Sequence, residues 1–209
     1  MLLNDDASVL DNWPQIMTSG FSFSPAFGNI DSDNDLEIVN CGEGGIYAWD
    51  ANGDLLDNWP KTVYDSPSVS MLGTPVLADV DNDGMCEIIA IGLCNDDFNL
   101  FVWNADGSFV NNWPQPLSGD FPRYYSSYFS PAVGDIDNDG FLEIAAVSKD
   151  HVYLFESNGQ PVTSWPDKQI SSANKNNIYL ANFDQDPELE IILNTDGAVS
   201  YTHLTLPTN

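Results

Sequence analysis

Asp135-Ile136-Asp137-Asn138-Asp139-Gly140-Phe141-Leu142-Glu143-Ile144 is the stretch on which the reading of the chain turns. Asp135, Asp137, Asp139 and Glu143 stand at positions 1, 3, 5 and 9 of one short loop. Carboxylates packed that closely repel one another unless a cation sits among them. Oxygen-only donors suit a hard cation, Ca²⁺ ahead of Mg²⁺, because Ca²⁺ accepts about six to eight ligands in flexible geometry. Gly140 permits a sharp turn with positive φ, and the carbonyl of Phe141 supplies a further oxygen. An EF-hand places its last acid at the twelfth position and is flanked by helices. Here the acid comes at the ninth, and Ile144-Ala145-Ala146-Val147 reads as a buried strand. A metal-loaded turn between two strands is the better description.

The stretch recurs. Asp79-Val80-Asp81-Asn82-Asp83-Gly84-Met85-Cys86-Glu87-Ile88 matches it at every ligand position. Asn29-Ile30-Asp31-Ser32-Asp33-Asn34-Asp35-Leu36-Glu37-Ile38 matches with Asn first, and Asn182-Phe183-Asp184-Gln185-Asp186-Pro187-Glu188-Leu189-Glu190-Ile191 matches more loosely. A lone acidic loop is commonly a solvated turn; tandem copies in one register, each followed by a strand, point to metal. A second marker, Trp-Pro, stands at Trp13-Pro14, Trp59-Pro60, Trp113-Pro114 and Trp165-Pro166. Both markers recur with a drifting period of about 50 residues, the sign of repeated supersecondary units with connections of variable length.

Each unit reads as four strand-like pieces. In the third they are 130–136, 142–148, 152–155 and 162–165, with the hairpin signal Ser157-Asn158-Gly159-Gln160 between the last two. The second unit repeats this over 73–80, 87–92, 99–103 and 109–113, and the first over 22–30, 36–41, 45–49 and 55–59. Each last piece ends at a Pro, which stops sheet pairing. No segment has a sustained helical period. The expected fold is all-β: a partial β-propeller of tandem four-stranded antiparallel blades, about three complete and partial ones at both ends. The expected blades are residues 21–59, 73–113, 129–165 and 177–198 of an incomplete propeller over 1–198. Residues 1–14 match only the closing hairpin and last strand of a unit, so they read as the end of a preceding blade. Residues 199–209 have no counterpart elsewhere in the chain and are set apart as a non-native tail. Such an open array leaves sheet edges and an inner wall uncovered, an aggregation liability.

Composition sets outer bounds. Hydrophobic residues make up 43% of the 209 and aromatics 12%, enough for a real core. The net charge of -27 argues against nucleic acid and against anionic membrane surfaces. No apolar run is long enough to span a membrane. Cys41, Cys86 and Cys94 lack metal-type spacing. Cys86 and Cys94 flank one expected strand, which holds them roughly 25 Å apart, too far for a disulfide. All three read as free or buried thiols.

Taken with Phe27-Gly28 and Pro131-Ala132-Val133-Gly134, the loops resemble FG-GAP repeats, also described as VCBS repeats. Such repeats form the blades of the integrin α-subunit propeller and of many large bacterial surface proteins. The resemblance spans about residues 9–198. It implies one calcium ion per loop, held by side chains 1, 3, 5 and 9 and the carbonyl of 7. The implied sets are Asn29, Asp31, Asp33, Asp35 (carbonyl) and Glu37; Asp79, Asp81, Asp83, Met85 (carbonyl) and Glu87; Asp135, Asp137, Asp139, Phe141 (carbonyl) and Glu143; and Asn182, Asp184, Asp186, Glu188 (carbonyl) and Glu190. Glu replaces the family's usual Asp at position 9 and lengthens that arm. Asn34 stands where Gly is usual, though Asn tolerates positive φ. Pro187 cannot reach positive φ. The second and third sites are therefore expected to bind tightest, and the fourth to be the weakest.

The expected function is a calcium-stabilised repeat region of a secreted or cell-surface protein, acting in binding, adhesion or structure. Extracellular calcium modules commonly bind at about 10⁻⁴–10⁻³ M, which fits that location. A protein or glycan partner is expected on the face opposite the metal loops. That face carries Gly92–Asp97 and a long connection with Arg123, Tyr124, Tyr125 and Tyr128. Catalysis is not expected: there are only two histidines, His151 and His203, and neither a nucleophile–base pair nor a Gly-rich phosphate loop is visible. A propeller beside a catalytic domain is the alternative. Tyr47-Ala48-Trp49-Asp50-Ala51-Asn52-Gly53-Asp54-Leu55-Leu56 is also similar to a blade segment of quinoprotein dehydrogenases, but the longer docking motif and quinone site of that family are missing.

Overall fold

The computed structural model describes residues 2–17, 22–42, 44–62, 65, 69–94, 97–117, 129–148, 151–163, 165, 168–169, 177–184, 186–195 and 198–202. Every regular element among them is a β-strand, and every sheet is antiparallel.

The first sheet holds β1 (Ala26–Gly28), β2 (Glu37–Gly42), β3 (Gly45–Trp49) and β4 (Lys61–Thr62), in that order. The second holds β5 (Val69–Met71), β6 (Val76–Ala78), β7 (Glu87–Cys94), β8 (Asp97–Trp103) and β9 (Gln115–Pro116); both β5 and β6 pair with β7. The third holds β10 (Ala132–Gly134), β11 (Glu143–Val147), β12 (His151–Glu156) and β13 (Lys168–Gln169). The fourth has three strands, β14 (Ile178–Ala181), β15 (Glu190–Thr195) and β16 (Ala198–Thr202). β16 continues through Thr202, opposite Ile191, so residues 199–202, set apart on sequence, pair within this sheet. Backbone ladder bonds require no particular side chain.

Two expectations need correcting. The first strands are shorter than 22–30, 73–80 and 130–136; in the second sheet an unexpected strand, β5, precedes that span, with Leu72–Pro75 between it and β6. The fourth pieces, 55–59, 109–113 and 162–165, are not strands. The first two make one bridge each, Trp49 with Leu55 and Trp103 with Phe109, the third is preceded by one, Phe155 with Pro161, and the chain then leaves the sheet. The cause is a tight turn: Trp59 N–H donates to Leu56 O, and Asn58 takes φ +66°. Asn112 repeats this at φ +68°. The chain rejoins the sheet only after the proline, as β4, β9 and β13.

The turn has a purpose that a period marker does not reveal. Trp59 lies edge-on to Trp103 at 6.0 Å, and its Nε1 donates to Ala105 O at 2.7 Å, in the hairpin turn of the next sheet. Asn58 Nδ2 donates to Asp106 O alongside. Trp113 repeats the arrangement on Phe155 and Ser157 O, with Asn112 on Asn158 O. Trp13 packs edge-on to Trp49, with Asn12 on Asn52 O. Each Asn-Trp-Pro therefore clasps the following unit. Trp165 departs: its Nε1 donates to Val152 O in its own sheet.

The core lies between the sheets. One cluster joins the first two sheets around Val39, Ile46, Met71, Ile88 and Phe101. Another runs through the second, third and fourth around Ile89, Val102, Ile144, Val147, Leu154 and Ile191. Both faces of β2, β7 and β11 are buried, so these strands read as continuous apolar runs rather than alternating ones. Gly73 lets the second and third sheets touch, since a Cβ there would lie 2.2 Å from Phe129 O.

Candidate metal centre

Each acidic loop joins the first strand of a sheet to the second. The register Gly28–Glu37, Ala78–Glu87, Gly134–Glu143 and Ala181–Glu190 pins both ends of every loop. The position-9 glutamate thus begins a strand and points back under the loop. All four glutamates are buried. One oxygen, Oε2, accepts the backbone N–H of position 2: Ile30 at 2.9 Å, Val80 at 2.8 Å, Ile136 at 2.7 Å and Phe183 at 2.5 Å.

In the first and third loops the other oxygen is left over. Glu37 Oε1 and Glu143 Oε1 are buried with no hydrogen-bond partner, and so are Asn29 Oδ1 and Asp137 Oδ1 in the same two loops. A buried, unpaired carboxylate oxygen is costly without a counter-charge. Around it the acids converge. Oxygens of Asp79, Asp81 and Glu87 lie within 4.8 Å of one another, as do those of Asp135, Asp137 and Glu143. The same holds for Asp31, Asp33 and Glu37, and for Asp184, Asp186 and Glu190. Oxygens sharing one Ca²⁺ at about 2.3–2.6 Å span a distance of that size. The donor set, all oxygen and mostly anionic, with orphaned atoms aimed inward, fits a hard divalent cation.

Two loop paths achieve this. In the second and third loops, position 1 is Asp and accepts the N–H groups of positions 5 and 6: Asp79 from Asp83 and Gly84, Asp135 from Asp139 and Gly140. Asn82 and Asn138 take φ +60° and +58°, and Gly84 and Gly140 follow at +96° and +94°. In the first and fourth loops, position 1 is Asn and instead donates, Asn29 Nδ2 to Asp33 O and Asn182 Nδ2 to Asp186 O. Asn34 is not among the positive-φ residues, so this path has no need of the glycine conformation. Pro187 accordingly stands in a loop whose three acids still come together.

Position 5 splits in the same way. Asp33 and Asp186 join their clusters, whereas Asp83 and Asp139 stand outside the gathered trios and accept the N–H of Met85 and Phe141, each at 2.9 Å. Position 7 is thereby held beside position 5; Asp35 N–H likewise donates to Asp33. Glu188 adjoins Asp186, whose carboxyl is raised by desolvation and then by Asp184 and Glu188.

The electrostatics agree with the geometry. Burial, then the charges of Asp81, Asp83 and Asp79, pushes Glu87 up to about 7. Burial, then Asp137, Glu156 and Asp139, does the same for Glu143, also to about 7. Glu37 and Asp137 are raised too, desolvation first. Without a cation, Glu87 and Glu143 hold their protons up to about pH 7.

Three features escaped the sequence reading. Asn82 and Asn138 are left-handed turn residues, legible only as Asn in an Asp-rich loop. Glu156, which pairs in register with Glu143, brings another acid to the third loop; burial, then Asp137 and Asp139, raises it. Neighbouring loops are also tied by backbone bonds, Cys86 N–H to Asn29 O at 2.9 Å and Leu189 N–H to Ile136 O at 3.0 Å. The three cysteines are free, as expected, and Cys41 Sγ donates to Gly73 O across the first joint. His151 opens β12, and its backbone N–H donates to Ser148 Oγ at 3.1 Å. Residues 95–96, with Arg123, Tyr124, Tyr125 and Tyr128 of the expected partner face, lie outside the described residues. No helix among the described residues is long and apolar enough to cross a membrane.

Residues 79–146, from the second loop into β11, match the family described as FG-GAP-like repeat. The chain is similar in structure to the V. cholerae biofilm matrix protein Bap1, with a TM-score of 0.48 and 17% identity. The match covers 87% of this chain and 37% of that one, so the chain spans well under half the length of that protein. No curated protein matches the sequence.

Proposed function

We propose, starting from the FG-GAP-like repeat at residues 79–146, that this chain is a calcium-stabilised run of propeller blades from a secreted or cell-surface protein. In this reading it is a non-catalytic module that binds, adheres or spaces other parts. The observation that carries it is the buried Glu37 and Glu143, each with one oxygen bonded to the loop backbone and the other left without a partner.

The sites are the four sets named from sequence: Asn29, Asp31, Asp33, Asp35 and Glu37; Asp79, Asp81, Asp83, Met85 and Glu87; Asp135, Asp137, Asp139, Phe141 and Glu143; Asn182, Asp184, Asp186, Glu188 and Glu190. A bound cation would supply positive charge and fix the bend between the first two strands. The chain's part is to hold the oxygens on strand ends and exclude water beneath them. Repetition of a closed, oxygen-rich loop in every unit suits a structural clip better than a reaction centre. The repeats expected at 21–59, 73–113, 129–165 and 177–198, after the end of another blade at 1–14, would be blades whose sheets reach on to β4, β9, β13 and β16. A protein or glycan ligand belongs on the face opposite the loops, where the connections between units lie.

Isothermal titration of the chain with CaCl₂, after treatment with chelator, tests this. Uptake in the micromolar to millimolar range with a rise in melting temperature is expected. No heat and no shift at millimolar calcium would remove the metal reading and the extracellular argument with it.

A further inference from the structure

The second and third acidic loops have the same ligands. Both carry Asp at positions 1, 3 and 5, Gly at 6 and Glu at 9. Both follow the same path, with Asp79 and Asp135 each accepting the N–H groups of positions 5 and 6. The carboxylates and the carbonyl of position 7 supply five donors in each. One oxygen of the position-9 glutamate is already taken by the backbone N–H of position 2. Ca²⁺ accepts about six to eight oxygens, so each loop leaves at least one place to fill.

What differs is the residue across the sheet from the glutamate. Glu143 on β11 pairs directly with Glu156 on β12. Directly opposed residues of an antiparallel pair put their side chains on one face, with Cβ atoms about 4.5–5.5 Å apart. Glu143 turns beneath the third loop, so Glu156 lies on that side too. Beyond burial, the charges that act on its carboxyl are those of Asp137 and Asp139, and Glu143 feels Glu156 in turn. Like Asp139, Glu156 stands outside the trio of Asp135, Asp137 and Glu143 whose oxygens already converge. Glu143 is 1% exposed, and two oxygens of that trio, Glu143 Oε1 and Asp137 Oδ1, are buried with no hydrogen-bond partner. In the second loop the matching Asp81 Oδ1 accepts Asp83 N–H at 3.2 Å.

The counterparts of Glu156 are otherwise engaged. By the same register Glu87 faces Asn104 and Glu37 faces Asp50. Asn104 Nδ2 donates to Ser108 Oγ at 3.0 Å, and Asp50 Oδ1 accepts Asp54 N–H at 2.9 Å, so both short side chains help close their own hairpin turns. The third turn closes differently: Glu156 N–H donates to Gln160 O, and Asn158 Oδ1 accepts Gln160 N–H at 2.9 Å. The longer Glu156 side chain is left to face the loop. Two glutamates set directly opposite each other repel, a cost that a shared cation removes.

We propose that Glu156 is a further calcium ligand, which completes the third site from the neighbouring strand and makes it tighter than the matching site of the second unit. The inference rests on the calcium reading of the loops. It also ties the ion to a joint. Glu156 opens the turn whose Ser157 O and Asn158 O receive Trp113 Nε1 and Asn112 Nδ2 of the preceding unit. A cation held by Glu156 therefore fixes the acceptor side of the clasp between the second and third units.

Amide ¹H–¹⁵N spectra of the full chain, titrated with CaCl₂ after treatment with chelator, read the two loops separately. Gly84 and Gly140 N–H donate to the first ligand of the second and third loops and serve as the reporters. In the parent, Gly140 is expected to reach its midpoint at about fivefold lower calcium than Gly84. Glu156→Asn gives the third unit the residue of the second and is expected to bring the two midpoints together. Glu156→Asp keeps the charge but draws it back by one methylene, and is expected to weaken the Gly140 response by about fivefold as well. Asn104→Glu, made in the second unit, is expected to tighten the Gly84 response and leaves the third unit untouched. Equal midpoints in the parent overturn the proposal. So does a Gly140 midpoint that ignores Glu156→Asn, or one that Glu156→Asp leaves at the parent value, since charge at a distance then explains the effect. Silence of both glycines at millimolar calcium removes the calcium reading and this inference together, whereas a response of both that is indifferent to residue 156 removes this inference alone.

Discussion

At the scale of single residues, the position-9 glutamates do two jobs with one side chain. One oxygen fastens the loop to its strand and the other faces the acids, so the two roles separate by mutation. Glu143→Gln keeps an acceptor for Ile136 N–H and removes a buried charge. Calcium-free Glu143→Gln is expected to melt a few degrees above the parent at pH 8, and to lose at least about tenfold in calcium affinity at the third loop. Differential scanning calorimetry with and without calcium reads both effects. Ala7 supplies a second case. It takes φ +65° at the turn position where Gly53, Gly107 and Gly159 take +87°, +75° and +80°. A Cβ is disfavoured there, so Ala7→Gly is expected to stabilise the N-terminal turn by about 1 kcal/mol, seen as slower amide exchange over residues 4–10.

Among the elements, the loop and the clasp behave differently. The loop is destabilising until its charges are neutralised. Glu87 and Glu143 hold protons up to about pH 7 in the calcium-free fold, against about 4.5 for an ordinary glutamate. An acid whose folded value is raised lends stability below its unfolded value and loses it as the pH climbs to the folded one. The calcium-free melting temperature is therefore expected to fall between about pH 4.5 and 7, and saturating calcium to abolish that fall, since binding takes the ionised forms. The clasp needs no ion. Trp59→Phe breaks the bond to Ala105 O, while Trp13 Nε1 has no acceptor to lose. Urea titration is expected to place Trp59→Phe about 1 kcal/mol below Trp13→Phe. The loops were legible in the sequence because ligands must be carboxylates at fixed spacing. The clasp was not, although its letters were plain, because its partner carbonyl lies in the next unit's turn. A strand was expected at 55–59 because Leu55 and Leu56 look like one; the left-handed Asn58 that ends it carries no apolar signal. The choice between the two loop paths rests on Asn against Asp at position 1, a single atom's change from donor to acceptor.

For the whole molecule, stability is expected to be a sum over units and joints, as in other repeat arrays. The joints differ in tolerance. A Cβ at Gly73 would meet backbone, Phe129 O at 2.2 Å and its carbonyl carbon at 2.5 Å, whereas at Gly134 it would meet only the tips of Leu189 and Leu180 at 3.0 and 3.1 Å. Gly73→Ala is expected to cost more than about 2 kcal/mol and Gly134→Ala less than about 1, by chemical denaturation. The bond from Cys86 N–H to Asn29 O also has a thermodynamic reach. Its donor lies between Met85 and Glu87, and its acceptor belongs to the first residue of the adjoining loop. Ordering one loop sets the frame of its neighbour, so the entropy given up for the first ion is partly spared for the second. Occupancy in the first two loops would then rise together, giving a binding isotherm steeper than that of independent sites.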